Sequence, residues 1–207
     1  MYELEKQIIE ISYRNKLSHI GSCLTALPII LDIYEQKKHD DIFVLSSGHA
    51  HLAHAVVMEK YGIISDAEKN IQEHGIHCER AGGCDASTGS LGHGIGIGLG
   101  MALSGRTVHC LTTDGEWTEG SVKEAITVSY QEEVLGRNFF VHMNWNGWSA
   151  YQSTEHEGFF YFISNFRGIK LHNTKMNSFF PAYLQGQSAH YTVLNEEQYK
   201  EIMKILT

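Results

Sequence analysis

The residues best suited to chemistry stand at the ends of two strand-like runs. Thr107 to Thr112 leads into Thr113-Asp114-Gly115-Glu116, and Asn138 to Met143 leads into Asn144-Trp145-Asn146-Gly147. Asp114 and Asn146 are therefore separated by roughly the 30 residues of one βαβ unit. In a parallel sheet both emerge at the carboxyl edge, where open α/β sheets bind ligands. A carboxylate and an amide oxygen suit a hard cation such as Mg²⁺, which takes few protein ligands and leaves its other positions to phosphate and water. Gly115 lets an anion approach the backbone, and the helix that follows offers unpaired N–H groups and the positive end of its dipole. Singly, Asp114 reads as a helix N-cap and Asn146 as a turn residue beside Gly147. Their placement at two successive strand ends favours a metal.

The elements that must position this pair alternate along the chain as an α/β layer fold does. Leu4, Ile8 and Ile11 give the apolar face of a first helix that stops near Ser18-His19-Ile20-Gly21. A second, capped by Ser22 or Thr25, runs through Leu27, Ile30, Leu31 and Tyr34, with Pro28 tolerable in the first turn. Ile42 to Leu45 reads as a buried strand ending at Ser46-Ser47-Gly48-His49, followed by a helix from Ala50 to Lys60 and another from Asp66 to Gln72. Gly75 to Ser90 is an irregular loop. A helix from Ser121 to Leu135 joins the two central strands, and the tail carries strands at Gly168 to Leu171 and Tyr183 to Gln187 before a closing helix, Glu196 to Leu206. Glycines alternate from Gly92 to Gly100 without the G-x-G-x-x-G spacing of a dinucleotide fingerprint. In a helix, Gly92, Gly96 and Gly100 form a smooth stripe for a neighbouring helix, from this chain or a second copy.

With 207 residues, 43% hydrophobic and 19% charged, the chain is expected to form one domain over 1–207, its C-terminal part shortened from about residue 147. A net charge of −8 without a basic stripe argues against nucleic acid or an anionic membrane as partner. The amphipathic N-terminus and the lack of a long apolar run give a cytoplasmic expectation. Cys23, Cys78, Cys84 and Cys110 form no C-x-x-C pair, so reduced structural thiols are expected. The thirteen histidines, several beside glycine or serine in loops, suggest a polar cleft.

Ordered along the chain, these segments resemble the N-terminal, diphosphate-binding half of transketolases, especially the split type in which that half is a separate subunit. Ser18-His19-Ile20-Gly21 resembles the family's Gly-His-Pro-Gly, and Phe43 to His49 its strand followed by Ser-x-Gly-His. Gly75-Ile76-His77-Cys78-Glu79 resembles Pro-Gly-His-Pro-Glu, and Ser87 to Gly94 resembles Thr-Gly-Pro-Leu-Gly-Gln-Gly. Asp114 to Gly120 is similar to the metal loop, and Ser188-Ala189-His190-Tyr191 to the late His-Gly segment. The resemblance implies a three-layer, doubly wound, mostly parallel sheet with helices on both faces, the thiamine diphosphate-binding fold. It implies Mg²⁺, or Ca²⁺ or Mn²⁺ in its place, on Asp114, Asn146 and the Trp148 carbonyl, with His49, Gly115 and His190 near the diphosphate. It further implies Gly89 and Leu91 beside the aminopyrimidine, and His19, His77, His49 and His190 along a channel where imidazoles meet sugar hydroxyls and shuttle protons. Glu119 and Glu124 resemble acidic residues that link two active sites across a dimer. For Glu119 a helix-dipole role reads as well. His51, His54, His142 and His156 match no motif.

The resemblance also implies a missing part. In this family the glutamate that activates the cofactor comes from a second, pyrimidine-binding domain, for which 207 residues leave no room. A partner subunit of transketolase C-terminal type is expected, in an α2β2 heterotetramer. The implied reaction transfers a two-carbon ketol unit from a ketose to an aldehyde acceptor, and channel histidines suit a polyhydroxylated substrate. One alternative is a subunit of a 2-oxo acid decarboxylase, dehydrogenase or carboligase. Another is a non-catalytic, cofactor-binding regulatory subunit. Departures from the pattern are Thr113 for the first glycine of Gly-Asp-Gly, Ile20 and Cys78 for prolines and His93 for glutamine. The stretch between Asn146 and His190 is short and carries an aromatic run, Phe159 to Phe162, with no counterpart.

Overall fold

The structure, a computed structural model, describes residues 2–154, 163, 165–174 and 180–206. The aromatic run at 159–162 and His156 lie outside them. Four parallel strands, β1 (Ile42–Leu45), β2 (Val108–Thr113), β3 (Phe139–Trp145) and β4 (Ile169–Asn173), pair in the order β1-β2-β3-β4. Val108 lies between Ile42 and Phe139 in register.

Alternation along the strands builds two apolar layers. Phe43, Leu45 and Leu111 face one layer, made with α1 (Tyr2–Asn15), α2 (Ile20–Gln36), α3 (His51–Lys60) and the closing α8 (Glu196–Ile205). Ile42, Val44, Val108, Cys110, Phe139, Val141 and Met143 face the other, with α5 (Gly94–Leu103) and α6 (Gly120–Gln131). The short α4 (Ala67–His74), capped by the Asp66 side chain on Lys69 N–H at 2.9 Å, packs against α3. Helices thus cover both faces, as expected. Because strand order equals chain order, the carboxyl-edge crevice comes from the loops around the strand ends and from α2, which precedes the sheet in the chain.

Four expectations change. Ser22 and Thr25 do not cap α2: it begins at Ile20, behind His19 in the left-handed region at φ 61°. Pro28 lies in its interior, where twelve buried residues hold a nearly all-apolar helix that compensates for the backbone hydrogen bond proline cannot donate. Tyr183 to Gln187 is not a strand but a 3₁₀ turn (Ala182–Leu184) leading into the short α7 (Ser188–Tyr191). The helix after β2 ends at Gln131, short of Leu135. On α5 the glycines that pack within the chain are Gly94, whose added Cβ would stand 2.5 Å from Ser46 Cα, and Gly98, against Phe139 and Val108. Of the stripe named from sequence, Gly92 closes against Ser121 at the start of α6, its added Cβ 2.5 Å from the hydroxyl oxygen, whereas Gly96 and Gly100 have nothing from the described chain within 4 Å.

Three imidazoles cross the sheet side by side. His109 Nδ1 lies 3.3 Å from His142 Nε2, and His142 Nδ1 lies 3.2 Å from His172 Nε2. Burial, then the neighbouring His172 and His109, push the His142 pKa down to about 3. The folded chain therefore binds fewer protons at this position than the unfolded chain between about pH 6.5 and 3, and stability is lost as pH falls through that window, by at most about 1.4 kcal/mol per pH unit. Thermal denaturation of His142→Gln against the parent tests this. The parent's advantage in Tm should shrink steadily from pH 7 to pH 4, and a constant difference would show that His142 does not titrate in the unfolded state as required.

Candidate functional site

Loops from β1, β2 and β3 meet α2 and α7 at the carboxyl edge and enclose a cleft. Asp114 opens a 3₁₀ turn directly after β2, and Thr113 pairs with Asn144 two residues before Asn146. His19, His49, His77, Gly89, Leu91 and Gly115 line the cleft, as do Glu119, Asn146, Trp148 and His190. Of the residues named from sequence for metal, cofactor or substrate, Asp114 is the one outside this lining. Glu124 is exposed on α6.

Asp114 is 2% exposed, and its carboxylate fastens one strand end to the next. Oδ2 accepts from Gly147 N–H at 2.8 Å and from the Thr154 hydroxyl, while Oδ1 accepts from Gly115 N–H at 3.1 Å. Burial raises its pKa to about 6 against these hydrogen bonds. Asn146 Oδ1 accepts from Trp148 N–H at 2.9 Å. Each Oδ1 keeps lone-pair capacity beyond its one short-range bond. These are hard oxygen donors of the kind that fit Mg²⁺. Gly115 also lets the two strand-end loops close on each other, since an added Cβ would stand 3.2 Å from Ser149 Cβ.

The histidines form one wall. His19 and His49 ring centroids are 5.1 Å apart, and His19 and His190 are 6.1 Å apart. Burial first, then the neighbouring imidazoles, push His49 down to about 3. Burial lowers His19 and His190 as well, with a hydrogen bond to the Trp148 backbone working against the shift at His190. These three rings are neutral at neutral pH, so they offer one donor and one acceptor each rather than positive charge. His19 holds a left-handed backbone, costly for a residue with a side chain, and its N–H bonds His190 O at 3.2 Å. That geometry aims the first turn of α2 at the cleft. Ser22 lines the cleft from this turn, and its hydroxyl is buried with no partner among the described residues, a polar atom placed where a ligand could satisfy it.

The sequence reading missed Glu116. It is fully buried, and its carboxylate joins three loops: Oε1 accepts from Ser46 Oγ at 2.6 Å and Gly92 N–H at 3.0 Å, and Oε2 from Thr113 N–H at 3.1 Å. Burial pushes its pKa up to about 7. The available signal was Thr113-x-x-Glu116, a capping box directly after a strand. Glu116→Ala would strand three buried donors at a cost of about 3 kcal/mol or more, lowering Tm by roughly 6–12 °C. Glu116→Gln should lose part of that, because its amide places a donor against donors. Denaturant titration measures both, and a near-neutral Glu116→Ala would remove the residue's organising role.

No family model matches the chain. It is 31% identical over 148 residues to one of the subunits of the apulose-4-phosphate transketolase of Phocaeicola vulgatus, covering 61% of this chain and 53% of that protein. Homo sapiens transketolase is 34% identical over 131 residues, covering 52% of this chain and 21% of that protein. Transketolase-like protein 2 of Bos taurus is 36% identical over 133 residues, again 52% of this chain and 21% of that one. The chain thus spans about half the length of the first relative and about a fifth of the other two.

Proposed function

We propose, for a chain whose matches support an N-terminal, diphosphate-binding member of the transketolase family, that it is one subunit of a two-chain, thiamine diphosphate-dependent enzyme. The reaction proposed is transfer of a two-carbon ketol unit from a ketose to an aldehyde acceptor. The observation that carries this reading is the convergence of segments far apart in sequence, at His19, His49, His77, Gly89, Asn146 and His190, on one cleft at the carboxyl edge.

Asp114 Oδ1, Asn146 Oδ1 and the Trp148 carbonyl are the oxygens proposed to hold Mg²⁺, with the diphosphate beside His49 and His190. Neutral imidazoles donate N–H to phosphate or hydroxyl oxygens without requiring a counter-charge. A pKa near 3 makes His49 a hydrogen-bonding group that orients rather than a proton shuttle at neutral pH. His19 and His77, which line the same cleft, are proposed to meet the sugar hydroxyls of a donor or acceptor. The chemistry supplied by the cofactor when bound is an electron sink for the transferred unit. Gly89 and the Leu91 backbone, which line the cleft, are the groups proposed to contact its aminopyrimidine. The activating glutamate is assigned to a partner subunit of transketolase C-terminal type, in an α2β2 assembly, and Glu119 and Glu124 are proposed to face the second copy. No helix among the described residues is long and apolar enough to cross a membrane.

Calorimetry of the reconstituted pair tests the reading. Asn146→Ala or Asp114→Ala should weaken Mg²⁺-dependent thiamine diphosphate binding by about 10–100-fold or more, and the chain alone should turn over no ketose in a panel of ketoses and 2-oxo acids. Binding that ignores both the divalent cation and these two residues would overturn the site. Full turnover by the isolated chain would overturn the two-chain arrangement.

A further inference from the structure

Outside the cleft lining, next to His77 in the chain, two cysteines and two histidines converge. His51 and His54 stand one helical turn apart on α3, and Cys78 and Cys84 lie on the loop between α4 and α5. All four are buried, and one ligand atom from each lies within 4.8 Å of the other three. The Nδ1 atoms face the sulphurs: Cys78 Sγ is 3.5 Å from His51 and 4.0 Å from His54, and Cys84 Sγ is 3.7 Å from His51 and 3.6 Å from His54. With Zn–S near 2.3 Å and Zn–N near 2.05 Å, a tetrahedral ion has sulphur-to-nitrogen edges of about 3.5 Å.

We propose that His51, His54, Cys78 and Cys84 form a closed, structural zinc site that pins the 75–90 loop to α3. The opposite ring nitrogens carry the second observation. His51 Nε2 lies 3.1 Å from Asn70 Oδ1, itself held by its Nδ2 on Gly82 O at 2.8 Å, and His54 Nε2 lies 2.7 Å from the Tyr34 hydroxyl. Metal-bound imidazoles are oriented in this way, the free nitrogen bonded outward and the other aimed at the ion. Two thiolates and two imidazoles in a tetrahedral set select zinc over Mg²⁺. Four protein ligands leave no open position, so the role is structural. A two-iron cluster would hold the thiolates and imidazoles on separate irons, farther apart than a common 4.8 Å limit allows. The site is distinct from the oxygen pair at Asp114 and Asn146. It acts on the cleft indirectly, since Cys78 directly follows His77 and the pinned loop runs on to Gly89.

Metal analysis of the full chain, purified with its partner from zinc-containing medium, should find about one zinc per copy, unaffected by excess Mg²⁺. After chelation under reducing conditions, Co²⁺ should give tetrahedral d–d bands with thiolate charge transfer. Cys78→Ser and Cys84→Ser should each cut bound zinc at least tenfold. Hydrogen exchange over residues 75–90 should be slower with zinc than without it. If the variants fail to fold, the cobalt spectrum of the parent chain decides. Absence of zinc together with no uptake of Zn²⁺ or Co²⁺ by the reduced parent, or a cobalt spectrum lacking thiolate charge transfer, would overturn the proposal.

Discussion

The carboxyl edge depends on one buried carboxylate. Glu116 sits in the turn after β2 and accepts from the end of β1 through Ser46, from the glycine segment through Gly92 and from its own turn through Thr113. A charge with no access to water is tolerated only when its lone pairs are filled, and its pKa near 7 records the residual cost. Removing any of the three loops would leave that carboxylate short of donors. The segments after β1, at Gly92 and after β2 are therefore held to one another through this one side chain.

Asp114 extends the same arrangement one strand further. By holding Gly147 N–H and the Thr154 hydroxyl it ties the β3 loop to the β2 turn, which Gly115 allows to lie against Ser149. Glu116 and Asp114 together connect the strand ends of β1, β2 and β3 through side chains rather than backbone pairing. The proposed zinc site would do the same for the remaining loop, between α4 and α5, which Asn70 and Thr88 also anchor, the latter through Leu45 O at 2.6 Å. Irregular segments with few backbone partners are held by polar anchors because they have little apolar surface of their own to bury.

Legibility in the sequence followed the range of the interactions. Strands β1 to β4 and the long amphipathic helices were readable because apolar periodicity is local. Pro28 was misplaced because its position is decided by how completely α3, α1 and the sheet bury α2, which no local rule carries. Tyr183 to Gln187 alternates like a strand, yet the segment folds as a 3₁₀ turn that leads into α7, whose His190 lines the cleft. Of the glycines read as a stripe, Gly92 closes against Ser121 of α6 while Gly96 and Gly100 meet nothing from the described chain, and contact with the strands β2 and β3 falls on Gly98, which only the packing partners of the helix set.

The sequence by itself determined the α/β class, the order of the motifs and the residues that gather at the cleft, because each motif is a short run whose chemistry and turn geometry are written locally. Only the tertiary structure decided that Asp114 turns inward as a tie between loops, that Glu116 joins three of them, and that His51, His54, Cys78 and Cys84 meet. Those arrangements join residues on elements separated by a crossover, and a carboxylate or thiol reveals its partners only when burial forces it to find them.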